Sequence, residues 1–250
     1  MHLNTGRSFE EDFVRMIDGH THKDFNINIK HTLKEMFGYY EEDEVFHAGI
    51  VPGYQKPDIY IEYKGDRKYI SLKTGSAEVI NEEDLKKFIN YLREWGISTR
   101  TIKTFLYYHF GDGTLDGSGA KRYNWLEYRL KLSEDIKLMN EELNARKSFV
   151  KDFVDRCLFR GPKEGSIPAD YIYFGTLEYG SLCSKKQVMR HIENRTWSFM
   201  DNPHIGPIQF RPHARYIDKE IKNERYRWQV MFWWANLQRD LAYISNRYEG

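Results

Sequence analysis

The chain predicts an α+β protein: a mixed central sheet flanked by helices. Three observations carry that expectation. A helical stripe of apolar residues opens the chain, two alternating strands follow within residues 57–73, and a further helix-then-strand pattern comes after them. Helix, strands, helix and strand in that order place a sheet in the middle with helices on its faces.

Ser8 with Glu11 three residues on is a capping-box pattern, and Phe9, Phe13, Met16 and Ile17 form the stripe of the first helix. A second helix is expected near 28–38. In the hairpin, Gly65-Asp66 suits a two-residue type II′ turn. That register pairs Ile59 with Leu72, Ile61 with Ile70 and Tyr60 with Ser71, and it sets Asp58 opposite Lys73. Asn81 caps a helix over 81–94 with the stripe Leu85, Phe88, Ile89 and Leu92. Residues 102–110 (IKTFLYYHF) read as a strand. Beyond the glycine-rich loop 111–120 the pattern is helical from about 123 to 159, with Trp125, Leu126, Ile136, Met139, Leu143, Val150, Phe153 and Val154 inward. Gly161-Pro162 and Gly165 mark a loop. A strand near 171–175, a short helix near 184–193 and a β-prone run at 226–234 complete the chain. There is no internal repeat and no clean linker. The expected organisation is a core over 1–120, with a helical segment and C-terminal elaboration over 121–250 packed on it as one compact fold.

Composition narrows the function classes. At 250 residues, 16% aromatic and 30% charged, the chain reads as a folded protein with a wet surface. No apolar run approaches the roughly 20 residues a bilayer-spanning helix needs, and the start lacks the apolar stretch of a secretion signal. Cys157 and Cys183 have no metal or redox spacing, which fits idle thiols in a reducing cytoplasm. Net charge is +1, from 38 basic and 37 acidic residues, so a nucleic-acid surface has to come from local clustering. Arg211, His213, Arg215, Lys219, Lys222, Arg225 and Arg227 form such a cluster, opposed by Asp218, Glu220 and Glu224.

Asp58 and Lys73, at the open end of the hairpin, have two readings: a cross-strand ion pair, or one ligand and the cation of a metal-dependent phosphodiesterase. The second needs oxygen ligands for Mg²⁺ and a positive group against the charge of the transition state. Glu62-Tyr63-Lys64 is a complete Glu-x-Lys, but Glu62 lies roughly 13 Å along the strand from Asp58 and flanks the turn. Ser71-Leu72-Lys73 has the right position and lacks the acid. Helical counting sets Glu82 about 70° from the apolar stripe of its helix and Glu83 on the far face; Glu82 is the acid able to lean over the sheet, and Glu78 is a weaker substitute. The same count places Glu10 beside the stripe of the first helix.

Pro57-Asp58 followed by Ser71-Leu72-Lys73 resembles the Pro-Asp…(Asp/Glu)-x-Lys nuclease superfamily, PD-(D/E)XK, which includes many restriction endonucleases. Gly6-Arg-Ser-Phe9-Glu10 is similar to its opening helix, where a Phe-Glu pair often supplies an auxiliary acid. The element order over 6–110 resembles its helix, hairpin, helix, strand core. The chain departs at Ser71; some members are similar in having Ser-x-Lys with the acid moved to the following helix. The resemblance implies a restriction-endonuclease-like core with Mg²⁺ as cofactor and double-stranded DNA as substrate. It further implies a homodimer cutting both strands to leave 5′-phosphates. It assigns Asp58 and Glu82 as metal ligands, Glu10 as auxiliary acid, Lys73 as the group that orients the attacking water, and Ser71 as a hydrogen-bonding partner.

Other signals are secondary. The loop at 111–122 lacks the Gly-Lys-Ser/Thr ending of a P-loop, so no nucleotide cofactor is expected; Lys121 and Arg122 could contact a DNA backbone. His20 and His22 lack partners at metal-site spacing. In 225–234, alternation would set Tyr226, Trp228, Val230 and Phe232 on one side and Arg227 and Gln229 on the other, where Arg and Gln can read guanine and adenine edges. Arg211 and Arg215 suit phosphate contacts. The sequence therefore points to a Mg²⁺-dependent endodeoxyribonuclease of restriction type. The alternatives are a DNA-binding module that keeps the nuclease fold without catalysis, and a nuclease acting on branched DNA or RNA.

Overall fold

A computed structural model describes residues 5–53, 55–75, 79–119, 123–163, 165–197, 202–212 and 224–248. The architecture is mixed α and β with two sheets, in the expected class. The chain divides into two compact units, both discontinuous: residues 1–77, 155–191 and 236–250 form the first, and 78–154 and 192–235 the second. The boundary read near residue 120 lies inside the second unit.

The first unit is built on helices α1 (Thr5–Ile17) and α2 (Ile27–Phe37) and strands β1 (His47–Ile50), β2 (Ile59–Tyr63) and β3 (Asp66–Lys73). Strands β5 (Tyr171–Gly175) and β6 (Gly180–Ser184), most of helix α8 (Lys185–Glu193), and α9 (Leu237–Arg247) complete it. Its five-stranded sheet runs β1-β2-β3-β5-β6, antiparallel throughout except for the parallel pair β3/β5. One face of the sheet sends Ile59, Ile61, Ile70, Leu72, Tyr173 and Leu182 into a core with Phe13 and Ile17 of α1 and Ile29 and Leu33 of α2. Helix α1 begins at Thr5, ahead of the Ser8 cap read from the sequence.

The hairpin turn is Lys64-Gly65, not Gly65-Asp66. Both residues have positive φ, 48° and 82°, as a type I′ turn requires. The Lys64 ammonium reaches Glu41 at 2.7 Å, an anchor that accompanies its left-handed backbone. The register moves by two residues: Ile59 pairs with Ile70, Tyr60 with Tyr69 and Glu62 with Arg67. A shift of two keeps every side chain on its predicted face and changes every partner.

The second unit contains β4 (Val79–Asp84), helices α3 (Leu85–Glu94), α4 (Thr99–Phe110), α5 (Trp125–Lys131), α6 (Ser133–Asn144) and nearly all of α7 (Lys147–Asp155), and strands β7 (His204–Ile205), β8 (Ile208–Pro212) and β9 (Gln229–Trp233). Its antiparallel sheet runs β4-β9-β8-β7. Phe88, Phe105, Phe153, Phe210 and Phe232 meet there ring to ring at centroid distances of 5.1–6.0 Å. The strand read at 102–110 is helix α4. Ser98 caps it by accepting from Thr101 N, left-handed Gly111 ends it, and its buried residues follow a helical spacing. The parallel neighbour of β3 is β5 instead, where the sequence pattern did place a strand.

Candidate active site

Pro57 leads into β2, and Asp58 precedes its first paired residue. The observed register brings Asp58 beside Ser71 rather than Lys73. Asp58 Oδ2 accepts two hydrogen bonds, from Leu72 N at 2.6 Å and from Ser71 Oγ at 3.3 Å. Ser71 is buried, at 1% exposure, so its hydroxyl acts inward, on the carboxylate. The simple cross-strand pair of Asp58 with Lys73 is thereby removed, and among the described residues Lys73 forms no ion pair. Asp58 Oδ1 has no hydrogen bond among the described residues.

Helix α1 carries Glu10 to the same place. Burial raises its pKa first, and the Asp58 carboxylate raises it further; Lys73 acts in the opposite direction. The field between these groups places Glu10, Asp58 and Lys73 in one neighbourhood. All three are half-buried. Two carboxylates that disfavour each other's charge are an arrangement that a cation relieves.

Lys56 is a member of this group that the sequence reading gave no role. Burial, then repulsion from Lys73, bring its pKa down to about 7; Cys157 and Asp58 act against that shift. Its stem lies against Gly161, where an added Cβ would come within 3.5 Å of Lys56 Cβ. The signal was its place beside Pro57-Asp58, but only tertiary burial makes it unusual.

Glu82 stands elsewhere than expected. It is on strand β4 of the second unit, paired with Met231, and the helix starts three residues later with Asp84 as its cap. The faces are also reversed: Glu83 is buried and Glu82 exposed. Glu78 lies outside the described residues. Glu62 pairs with Arg67 at 2.7 Å beside the turn, as a turn flank should.

Of the proposed DNA contacts, Arg211, Arg227 and Gln229 fall among the described residues; Arg211 pairs with Met231, two residues from Gln229 on β9. Arg211 on β8 is exposed and its guanidinium lies 3.2 Å from the Trp233 ring centroid. Arg227 donates to the Gly117 carbonyl, and its own carbonyl meets His109 Nε2 at 2.9 Å. Residues 224–228 form a 3-10 turn, so strand alternation starts only at Gln229 and does not set Arg227 beside it. Tyr226 and Trp228 are correspondingly exposed rather than inward. Arg215, Lys121 and Arg122 lie outside the described residues. The glycine-rich loop is tied by its own carboxylates: Asp112 accepts from Thr114 and Gly119, and Asp116 from Ser118.

Cys157 and Cys183 are buried thiols that form no disulfide. His22 packs on Tyr40, with its Nδ1 2.9 Å from the hydroxyl. Among the described residues no three His, Cys, Asp or Glu side chains gather as a metal-holding group, and no helix is long and apolar enough to cross a membrane. No family model matches the chain, and no curated protein matches it.

Proposed function

We propose that this protein is a Mg²⁺-dependent endodeoxyribonuclease that cleaves double-stranded DNA, with its active site at Asp58, Glu10 and Lys73 of the first unit. The observation that carries this reading is the set of unengaged polar atoms there. Asp58 Oδ1, the Glu10 carboxylate and the Lys73 ammonium have no hydrogen-bond partner among the described residues, although all three side chains are half-buried. Half-buried groups of both signs held in one place without partners suit a charged ligand.

The donor set fits Mg²⁺, which keeps several waters and takes one or two carboxylates from a protein. Asp58 and Glu10 would hold it. Such an ion would supply positive charge against the phosphorane-like transition state and a bound water more acidic than bulk water. Ser71 Oγ and Leu72 N fix Asp58 in one orientation, so its free oxygen is aimed before substrate arrives. Lys73 orients the attacking water and stabilises charge developing on the phosphate oxygens. Cutting both strands of a duplex calls for two copies of the site, hence a homodimer.

The test is incubation with mixed plasmid DNA and Mg²⁺. Cleavage is expected for the wild type and lost in Asp58→Asn; no cleavage with any divalent ion, or full activity of the variant, would sink the reading. One observation favours a second reading, a binding module without catalysis: among the described residues, two carboxylates and no third come together at the site. DNA affinity unchanged by EDTA, with no nicking, would select it.

A further inference from the structure

Ser133, Ile136, Lys137, Asn140, Glu141 and Asn144 of α6 border a cleft of about 890 Å³. Their spacing of three and four sets them on a single helical face. Leu130 on α5, Val150 on α7, Ile192 on the last turn of α8 and Trp197 beyond it close the other sides. All of these residues belong to the second unit. The volume lies within the range of about 300–1,000 Å³ usual for ligand clefts.

The floor is apolar, and its amides are already engaged. Ile136, Val150 and Ile192 are buried there. Asn140 donates to Asn202 O and accepts from His204 N. Asn144 donates to Asn140 O and His204 O and accepts from Gly206 N. Such a floor rewards a ligand body that asks for no hydrogen bond. The Trp197 wall is held in turn, with its carbonyl 2.7 Å from His204 Nε2. At the rim Leu130 stays 64% exposed, apolar surface that the fold itself leaves uncovered.

The charges lie at the mouth. Lys137 and Lys147 are exposed, and among the described residues neither pairs with a carboxylate. Lys147 Nζ donates to Glu193 O at 2.7 Å, which fixes the ammonium, while the Glu193 carboxylate takes Lys151 instead. Arg129 and Arg195 also line the cleft but are committed to its walls: Arg129 donates to Asn202 Oδ1 at 3.2 Å, and Arg195 lies over the Trp197 ring at 5.6 Å. Glu141 is the acid of the lining. Two lysines against one glutamate leave a place for a single negative charge.

We propose that this cleft of the second unit binds an apolar carboxylate, its body on Leu130, Ile136, Val150, Ile192 and Trp197 and its charged end at Lys137 and Lys147. A compact ammonium on a flexible stem suits a carboxylate as a point charge. Branched aliphatic walls and one indole accept a chain or a ring as the apolar body, so the charge and the depth of the cleft set the class.

The test is calorimetric titration of the full chain with decanoate, with naphthoate, and with naphthamide as the neutral counterpart. At least one carboxylate should bind, at one per chain, and more tightly than the amide. Lys137→Gln with Lys147→Gln should weaken carboxylate binding about tenfold or more and change amide binding less than about twofold. Ala145→Phe, an exposed position on the cleft wall, fills the space and should abolish binding of all three probes. Leu130→Glu, at an equally exposed site, sets a repelling charge at the rim and repeats the test should either variant fold poorly; it should cost the carboxylates about tenfold. Binding of neither carboxylate would overturn the site. So would an amide bound as tightly as its carboxylate, or carboxylate binding unaltered by the lysine pair or by Ala145→Phe.

Discussion

The two units of this protein each hold a cluster of polar side chains, and the two clusters are engaged differently. In the second unit a group of polar side chains on α6 is engaged: Asn140 donates to Asn202 O and accepts from His204 N, Asn144 spans Asn140 O, His204 O and Gly206 N, and Glu142 accepts from Ser98 and Thr101. Its sheet packs on a cluster of phenylalanines. In the first unit the strand ends hold Asp58 Oδ1, Glu10 and Lys73 without such partners among the described residues, next to a lysine whose pKa falls to about 7. A satisfied polar network specifies structure; an unsatisfied one of mixed sign stores interaction for a ligand. The proposed chemistry belongs to the cluster in the first unit.

The largest expected effect tests that assignment directly. Asp58→Asn should lower DNA cleavage by about 10³-fold or more with little change in thermal stability. Phe232→Ala, in the phenylalanine cluster, should destabilise by about 3–5 kcal/mol while the folded fraction keeps its cleavage rate. Plasmid cleavage and denaturant melts read both, and a catalytic loss in Phe232→Ala below its melting point would break the assignment. Lys73→Gln comes next, with cleavage down about 10²–10³-fold and duplex affinity in Ca²⁺ nearly kept.

Exchanging the acids sharpens the comparison. Glu10→Gln should weaken metal dependence about 10–100-fold, and Glu82→Gln, on the second unit's strand, should stay near wild type. The reverse order would return the second metal-binding acid to Glu82. Glu10→Gln also carries a pH signature. The pKa of Glu10 is raised above its ordinary value of 4.5 by burial and Asp58, so the folded state binds the extra proton and stability falls as pH rises through that window. The variant should therefore melt higher than wild type at pH 7 in EDTA, and the gain should vanish in acid below 4.5.

The smallest effects are pH shifts of stability, one in each unit. Lys56 falls from 10.5 to about 7 through burial and Lys73. The unfolded state then binds more protons between those values, so stability rises with pH across that window. Lys56→Met should raise the melting temperature at pH 7, with the advantage shrinking toward pH 10.5. In the second unit burial lowers His204 from 6.5 to about 4. Its stabilising neutrality is lost as pH falls through that range, and His204→Gln should flatten the acid limb of the melting curve.

Much of the frame was legible in the residues. Periodicity located the two strands of the hairpin, β5, α2 and α8, because each has a regular apolar pattern within its own length. The hairpin register was not legible. Gly65-Asp66 and Lys64-Gly65 are both chemically reasonable turns, and the difference lies in a left-handed Lys64 whose ammonium meets Glu41. Residues 102–110 are β-branched and aromatic enough to read as a strand, yet Ser98 and Gly111 were the caps that would have identified a helix. Strand β4 had no local signature to outweigh Asn81 as a cap, since it exists through pairing with β9 nearly 150 residues on.

By itself the sequence determined the α+β class, the polar face of the hairpin, and the presence of Glu10, Asp58, Ser71 and Lys73 on elements able to meet. Those follow from local periodicity, and a register shift of two leaves the faces intact. Only tertiary structure decided that Asp58 faces Ser71, that Glu82 sits on a strand of the second unit, and that Lys56 adjoins the site. Those depend on long-range pairing and burial, which no window of the chain contains.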